Sequence, residues 1–180
     1  MWPWGHLAVG YLAAATGRRE PPGDLAVLVL AVGTQFPDLI DKPLAWNLGV
    51  IPNGRSLAHS AIVATLVVVL VWRYAARRDR ADLAAAFAIG YYSHLGADAL
   101  YPLLEGRFGE LAFLGWPVLP PIEYTGSTSV VARFAELFRE LAAGHVAPTF
   151  GFELLLVLAA AALWARQGFP GLAVFGWPAE

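Results

Sequence analysis

Apolar positions gather in five stretches along the 180-residue chain, at about 4–17, 24–36, 57–75, 83–104 and 148–166, separated by turn-forming sequence. At 1.5 Å rise per residue, the last three are long enough to cross a hydrocarbon core of about 30 Å, which takes roughly 20 helical residues. The first two are shorter and fit either tilted partial spans or helices packed inside the protein. Residues 129–143, SVVARFAELFRELAA, follow another pattern. There Val130, Val131, Phe134, Leu137, Phe138 and Leu141 share one helical face while Arg133, Glu136, Arg139 and Glu140 share the other, which predicts a surface or interfacial helix. REPPGD, PNGRS, GWPVLPP and GHVAP punctuate the elements, and neither a repeat nor a domain boundary is visible. The pattern predicts an all-α fold over residues 1–180 as a single domain: a membrane-embedded helical bundle of about five apolar helices plus one amphipathic interfacial helix.

Composition strengthens the membrane reading, because 58% of residues are hydrophobic and only 14% are charged. With no cysteine, thiolate ligands, disulfides and a cysteine nucleophile are excluded. A net charge of -2 and the lack of a long basic run exclude nucleic acid as a direct partner. The opening MWPWGHLAVG has no basic region or small-residue cleavage site, so the Trp-Pro-Trp is expected to stay in the mature chain.

If all five apolar segments cross, Arg18, Arg19, Arg73, Arg77, Arg78, Arg80 and Arg166 lie on one side, against Lys42, Arg55, Arg107, Arg133 and Arg139 on the other. Positive residues favour the cytoplasm, which assigns the first group there in the cytoplasmic membrane. Tryptophans and the repeated Gly-Trp-Pro fit interfacial anchoring. His6, Asp38, Asp41, His59, His94 and Asp98 then all fall toward the opposite, extracytoplasmic face, although they are dispersed over four segments.

Such residues suit a common site. His94 and Asp98 are four apart, so they project from one helical face and can share a cation or a hydrogen bond. PDLID reads as a turn or helix terminus with two carboxylates three apart. Imidazole and carboxylate without sulfur suit zinc or another divalent transition metal, with an open position for water. Such water can attack a phosphate or acyl ester, with a spare carboxylate as base. His59 and Ser60 are adjacent and point about 100 degrees apart, which argues against a Ser-His pair. Arg55 fits either an anionic substrate group or headgroup anchoring, and His145 and Glu153 are reserve candidates. A different class of reading keeps the same His and Asp residues in a non-catalytic membrane protein that binds or conducts a metal ion or proton, and a scaffold would need no metal.

The ordered HLAVG, PDLID, GRSLAHS and SHLGAD, over residues 1 to about 104, resemble the membrane-bound metal-dependent hydrolase family of the YdjM type. That family is named for an inner-membrane protein described as LexA-binding and is grouped with zinc-dependent phospholipase C and P1-type nucleases. The resemblance implies metal ligands at His6, Asp38, His59, His94 and Asp98, with Asp41 a further ligand or a base, on a helical bundle. Gly54 and Ala58 stand where the family often has His and Thr, which implies one or two metals rather than three. The expected activity is a membrane-bound metal-dependent hydrolase, with zinc as cofactor, membrane lipid as partner, an amphiphilic or small-molecule ester as substrate, and Asp38 or Asp41 as catalytic base.

Overall fold

The computed structural model of the chain describes residues 1–16, 20–121, 129–145 and 147–176. Arg18, Arg19 and the Trp-Pro of the second Gly-Trp-Pro lie outside the described residues, as does the side chain of Val130. The described residues form six α-helices and no strand: α1 (Pro3–Ala15), α2 (Asp24–Lys42), α3 (Ala61–Ala76), α4 (Ala81–Leu104), α5 (Val130–Ala142) and α6 (Pro148–Arg166). A π-helical turn at Pro43–Asn47 and 3-10 turns at Phe108–Gly115 and Leu172–Phe175 complete the regular structure.

The helix starts follow from local chemistry. Pro3 and Pro148 occupy first-turn positions of α1 and α6, where the missing amide costs no intrahelical bond. Ser60 caps α3 by accepting from the amides of Ile62 and Val63. Its hydroxyl also donates to the Trp116 carbonyl at 2.5 Å, so Ser60 is committed to structure.

Of the two readings of PDLID, a turn or a helix terminus, the structure has the terminus. α2 runs through Pro37 to Lys42, placing Asp38 and Asp41 one turn apart within the helix. Pro37 removes a single amide donor, the one that would bond the Gly33 carbonyl, and that local loss leaves the remaining turns of α2 intact.

α4 is the central element and packs on α1, α2 and α3, while α6 lies against α1. α2 and α4 approach until their backbones touch. A Cβ placed on Gly33 would stand 2.5 Å from the Phe87 carbonyl oxygen, and one on Gly90 would run into the Leu30 carbonyl. This glycine crossing brings the C-terminal half of α2 against that of α4, which is where the polar residues lie. Small residues recur in the core, with Ala8, Ala14, Ala15, Ala86 and Ala160 around Tyr11 and Leu30, as expected where helices approach closely without a strong hydrophobic drive between them.

Cross-links fix the helix directions. Tyr11 donates to Gln167 at 2.6 Å, and the Gly171 amide donates to Asp24 at 2.5 Å, which joins the end of α1, the start of α2 and the end of α6. At the opposite end, the Trp2 amide donates to Glu153 at 3.0 Å, near the starts of α1 and α6.

Among the described residues, α6 alone is long and apolar enough by itself to cross a membrane. α3 has 16 residues, a length of about 24 Å, while α4 is long enough but carries buried His94 and Asp98. The expectation that the last three apolar segments each qualify is thus met by one of them. α3 and α6 nevertheless turn Leu66, Leu70, Leu155 and Leu158 outward.

Candidate metal centre

Four elements converge on one buried cluster. α1 supplies His6, α2 supplies Asp38 and Asp41, the loop before α3 supplies Arg55 and His59, and α4 supplies His94 and Asp98. His6, His59, His94, Asp41 and Asp98 are buried, and Asp38 retains slight side-chain exposure.

The imidazoles are held by their Nδ1 atoms. His59 Nδ1 lies 2.8 Å from Asp41 Oδ2, and His94 Nδ1 lies 2.6 Å from the Thr34 carbonyl oxygen. Both partners are acceptors, so each Nδ1 carries the hydrogen and each neutral ring presents an Nε2 lone pair to the cluster. Those two Nε2 atoms are 3.1 Å apart. Two facing lone pairs repel, so the contact needs either a proton on one Nε2, which makes it an N–H···N hydrogen bond, or a metal cation beside both.

The surrounding oxygens complete the arrangement. His59 Nε2 lies 3.5 Å from Asp38 Oδ1 and 3.6 Å from Asp98 Oδ2, and His94 Nε2 lies 3.9 Å from each of the same two oxygens. Ligands of a tetrahedral zinc with bonds of about 2.0–2.1 Å stand about 3.3 Å apart, so these separations need only slight adjustment to close around one ion. Two triads, Asp38 with His59 and His94, and His6 with His94 and Asp98, bring one ligand atom each within 4.8 Å of one another. They share His94. The donor set therefore fits one or two divalent ions.

His6 stacks on the His94 ring with centroids 3.7 Å apart and directs Nε2 to Asp98 Oδ1 at 3.4 Å. Its Nδ1 is buried without a hydrogen-bond partner among the described residues. His59 lies in the loop outside the helices. Burial opposes its charged form, yet hydrogen bonds to Asp38 and Asp41 hold its pKa above the ordinary histidine value. The environment of Nε2 thus favours positive charge, whether a proton or a metal ion.

Asp41 has a different position from the other carboxylates. It sits behind His59 and accepts from the amides of Ser56 at 2.9 Å, Ala58 at 2.7 Å and His59 at 3.2 Å as well as from the ring. It shapes the loop and fixes the His59 ring. Tyr91 pins the same loop, donating to the Ala58 carbonyl at 2.7 Å.

Basic groups occupy the mouth. Arg55 Nε lies 3.0 Å from Asp98 Oδ2, Lys42 pairs with Asp38, and the Met1 ammonium donates to Asp98 Oδ1 at 3.0 Å. Of the reserve residues, His145 is exposed and faces Glu140 at 3.5 Å, away from the cluster, and Glu153 anchors the Trp2 amide. Thr34, Lys42, Trp46 and Arg133 were not assigned to the site by the sequence reading, which used Lys42 and Arg133 only for charge topology and the tryptophans only as interfacial anchors. Thr34 acts through its backbone carbonyl, which carries no residue-type signature, whereas Lys42 was legible as the i, i+4 partner of Asp38.

The protein is thus a helical protein with a buried His/Asp centre that could hold a divalent metal ion. The sequence profile of the YdjM inner membrane protein family matches residues 1–171, and the chain belongs to that family. The match extends the relationship beyond the early motifs through α5 and α6. No curated protein and no solved structure gives a significant match to the chain.

Proposed function

We propose that this family member is a metal-dependent hydrolase of the cytoplasmic membrane, with its site toward the extracytoplasmic face and a phosphoester or lipid-like ester as substrate. One observation carries the reading: the two Nε2 atoms of His59 and His94, 3.1 Å apart, meet between Asp38 and Asp98. A divalent ion, with zinc first among those that suit nitrogen and oxygen ligands, would be held by three of His59, His94, Asp38 and Asp98, which leaves a position for water, with His6 beside a second position. Such an ion supplies Lewis acidity and lowers the pKa of bound water.

The chain's own residues do the rest. Asp41 and the Thr34 carbonyl hold the two imidazoles in the tautomer that ligation needs. Asp38, the cluster carboxylate nearest solvent, is the group placed to take a proton from water, whereas Asp41 has its oxygens engaged by four donors. Phosphoester chemistry is what the resemblance of the motif order to zinc-dependent phospholipase C and P1-type nucleases would imply. A conduit would spread the His and Asp groups along a path; their convergence at one end of the bundle favours a single metal site over conduction.

The test is metal analysis of detergent-purified protein and of its His94→Ala variant, with a panel of phosphoesters and carboxylic esters. At least one divalent ion per chain in the parent, a tenfold or greater loss in the variant and parallel loss of turnover are expected. Equal metal in both removes the ligand assignment, and bound metal without turnover turns the reading to a non-catalytic metal-binding membrane protein.

A further inference from the structure

A groove leads from the surface to the cluster. Its main cavity, about 250 Å³, is walled by Trp2, Leu39, Pro43, Trp46 and Phe134 and reaches Asp38. A smaller recess of about 10 Å³, room for about one water, continues inward between Asp38, Asp98, Lys42, Arg55, Trp46 and Arg133, so a group as large as phosphate sits at the inner end of the main cavity, where Asp38, Lys42 and Arg133 line both spaces. Met1, Asp38, Lys42, Trp46 and Arg133 border both spaces, so the apolar groove and the polar recess are continuous.

The two parts ask for different chemistry. The outer walls are aromatic and aliphatic. Trp2 and Trp4 stack with centroids 5.0 Å apart, Phe134 of α5 packs on Trp2 at 5.1 Å, and the Arg133 guanidinium stands 5.6 Å above the Trp2 ring. The recess is charged, with three basic side chains around two carboxylates. Lys42 and Arg55 now answer the charge of Asp38 and Asp98. A divalent cation on those carboxylates would answer it instead, and Lys42, Arg55 and Arg133 would then face the recess as an unmatched anion-binding set.

Resting on the hydrolase reading above, we propose that the site takes an amphiphile with an anionic phosphate headgroup. Lys42 and Arg133 hold the headgroup at the inner end of the groove, with Arg55 behind them in the recess, and the hydrocarbon part lies between Trp2, Trp46 and Phe134. A free phosphate would use only the basic inner end of the groove, and a neutral lipid only its apolar walls. α5 suits an entry at the membrane surface, because Val131 and Phe138 on its apolar side are exposed.

The test is equilibrium binding of a fluorescent single-chain glycerophosphate lipid to the full chain in uncharged detergent, both stripped of metal by chelator and loaded with zinc. Three competitors separate the contributions: the same lipid without fluorophore, the monoacylglycerol of equal chain length, and glycerol 3-phosphate. The phosphate lipid should compete at least about tenfold better than either of the others, and more tightly in the zinc-loaded protein. Arg133→Gln should weaken it about tenfold, the scale of one charge-assisted hydrogen bond, at unchanged metal content and unfolding midpoint. Arg107→Gln, which alters an arginine paired with Glu105 and Glu110, should leave binding unchanged.

Equal competition by the three compounds, or an Arg133→Gln variant that binds as the parent does, overturns the proposal. Turnover of a soluble aryl phosphoester without preference for the phosphate lipid also overturns it and leaves the hydrolase reading standing. Arg133-dependent binding in a zinc-loaded protein without turnover supports the ligand class and sinks the hydrolase reading.

Discussion

At the residue scale, two aspartates three positions apart on α2 have diverged in role. Asp41 is buried and meets four donors, while Asp38 faces the mouth and pairs with Lys42. Asparagine at 41 offers one acceptor oxygen and turns an NH2 group toward donors. An unsatisfied buried group costs about 1–3 kcal/mol, so Asp41→Asn should lower the unfolding midpoint in detergent and also release metal, because His59 loses its orienting partner. Asp38→Asn should reduce turnover by two orders of magnitude or more, at a smaller stability cost than Asp41→Asn, since Asp38 meets the partly exposed Lys42 and one buried imidazole rather than four buried donors. Unfolding curves and metal content of the two variants check this, and an Asp41→Asn protein as stable and as metal-rich as the parent would refute the buttress role. His94 and Asp98 were readable as a pair because helical spacing alone puts them on one face. The division between Asp38 and Asp41 was not, since it depends on amides of a loop that follows 15 or more residues later.

At the element scale, the site depends on how closely α2 and α4 cross. His94 reaches the Thr34 carbonyl because Gly33 and Gly90 let the two backbones meet one turn before it. Gly90→Ala should push the helices apart, at about 1–3 kcal/mol, and loosen the His94 contact with loss of bound metal. Gly96, also on α4, has nothing within 4 Å of where a Cβ would stand, so Gly96→Ala should be neutral or stabilising by less than about 1 kcal/mol. Thermal unfolding with metal analysis separates the two, and equal effects would rule out the crossing as the cause. Hydrophobic runs located all six helices to within a few residues at most ends. The exception is the end of α2, where a proline normally signals a stop. One missing amide does not end a helix whose remaining turns are intact, and single-sequence patterning carries no measure of that packing. The glycines were equally silent, because a glycine at a crossing and one facing open space look the same in sequence.

At the scale of the whole molecule, alternation of helix direction is what gathers the site. His6 begins α1, Asp38 and Asp41 lie near the end of α2, His59 precedes α3, and His94 and Asp98 lie in the later half of α4. Successive reversals bring these to one end, an outcome legible from the order of apolar segments before any distance was known. Which membrane face that end meets rests on the arginines, and the cluster from Arg73 to Arg80 at the opposite end is the strongest signal. The lack of native cysteine makes the assignment directly measurable. Ala81→Cys places a thiol at the exposed start of α4 beside the arginine cluster, and Val50→Cys places one in the exposed loop on the side of the site. In intact cells a membrane-impermeant maleimide should label Cys at 50 and spare Cys at 81, and in inverted vesicles the pattern should reverse. Labelling of both positions in intact cells would mean that the apolar segments do not separate the two ends across a bilayer. The opposite pattern would turn the His/Asp cluster toward the cytoplasm, where the same groove would meet the inner leaflet instead.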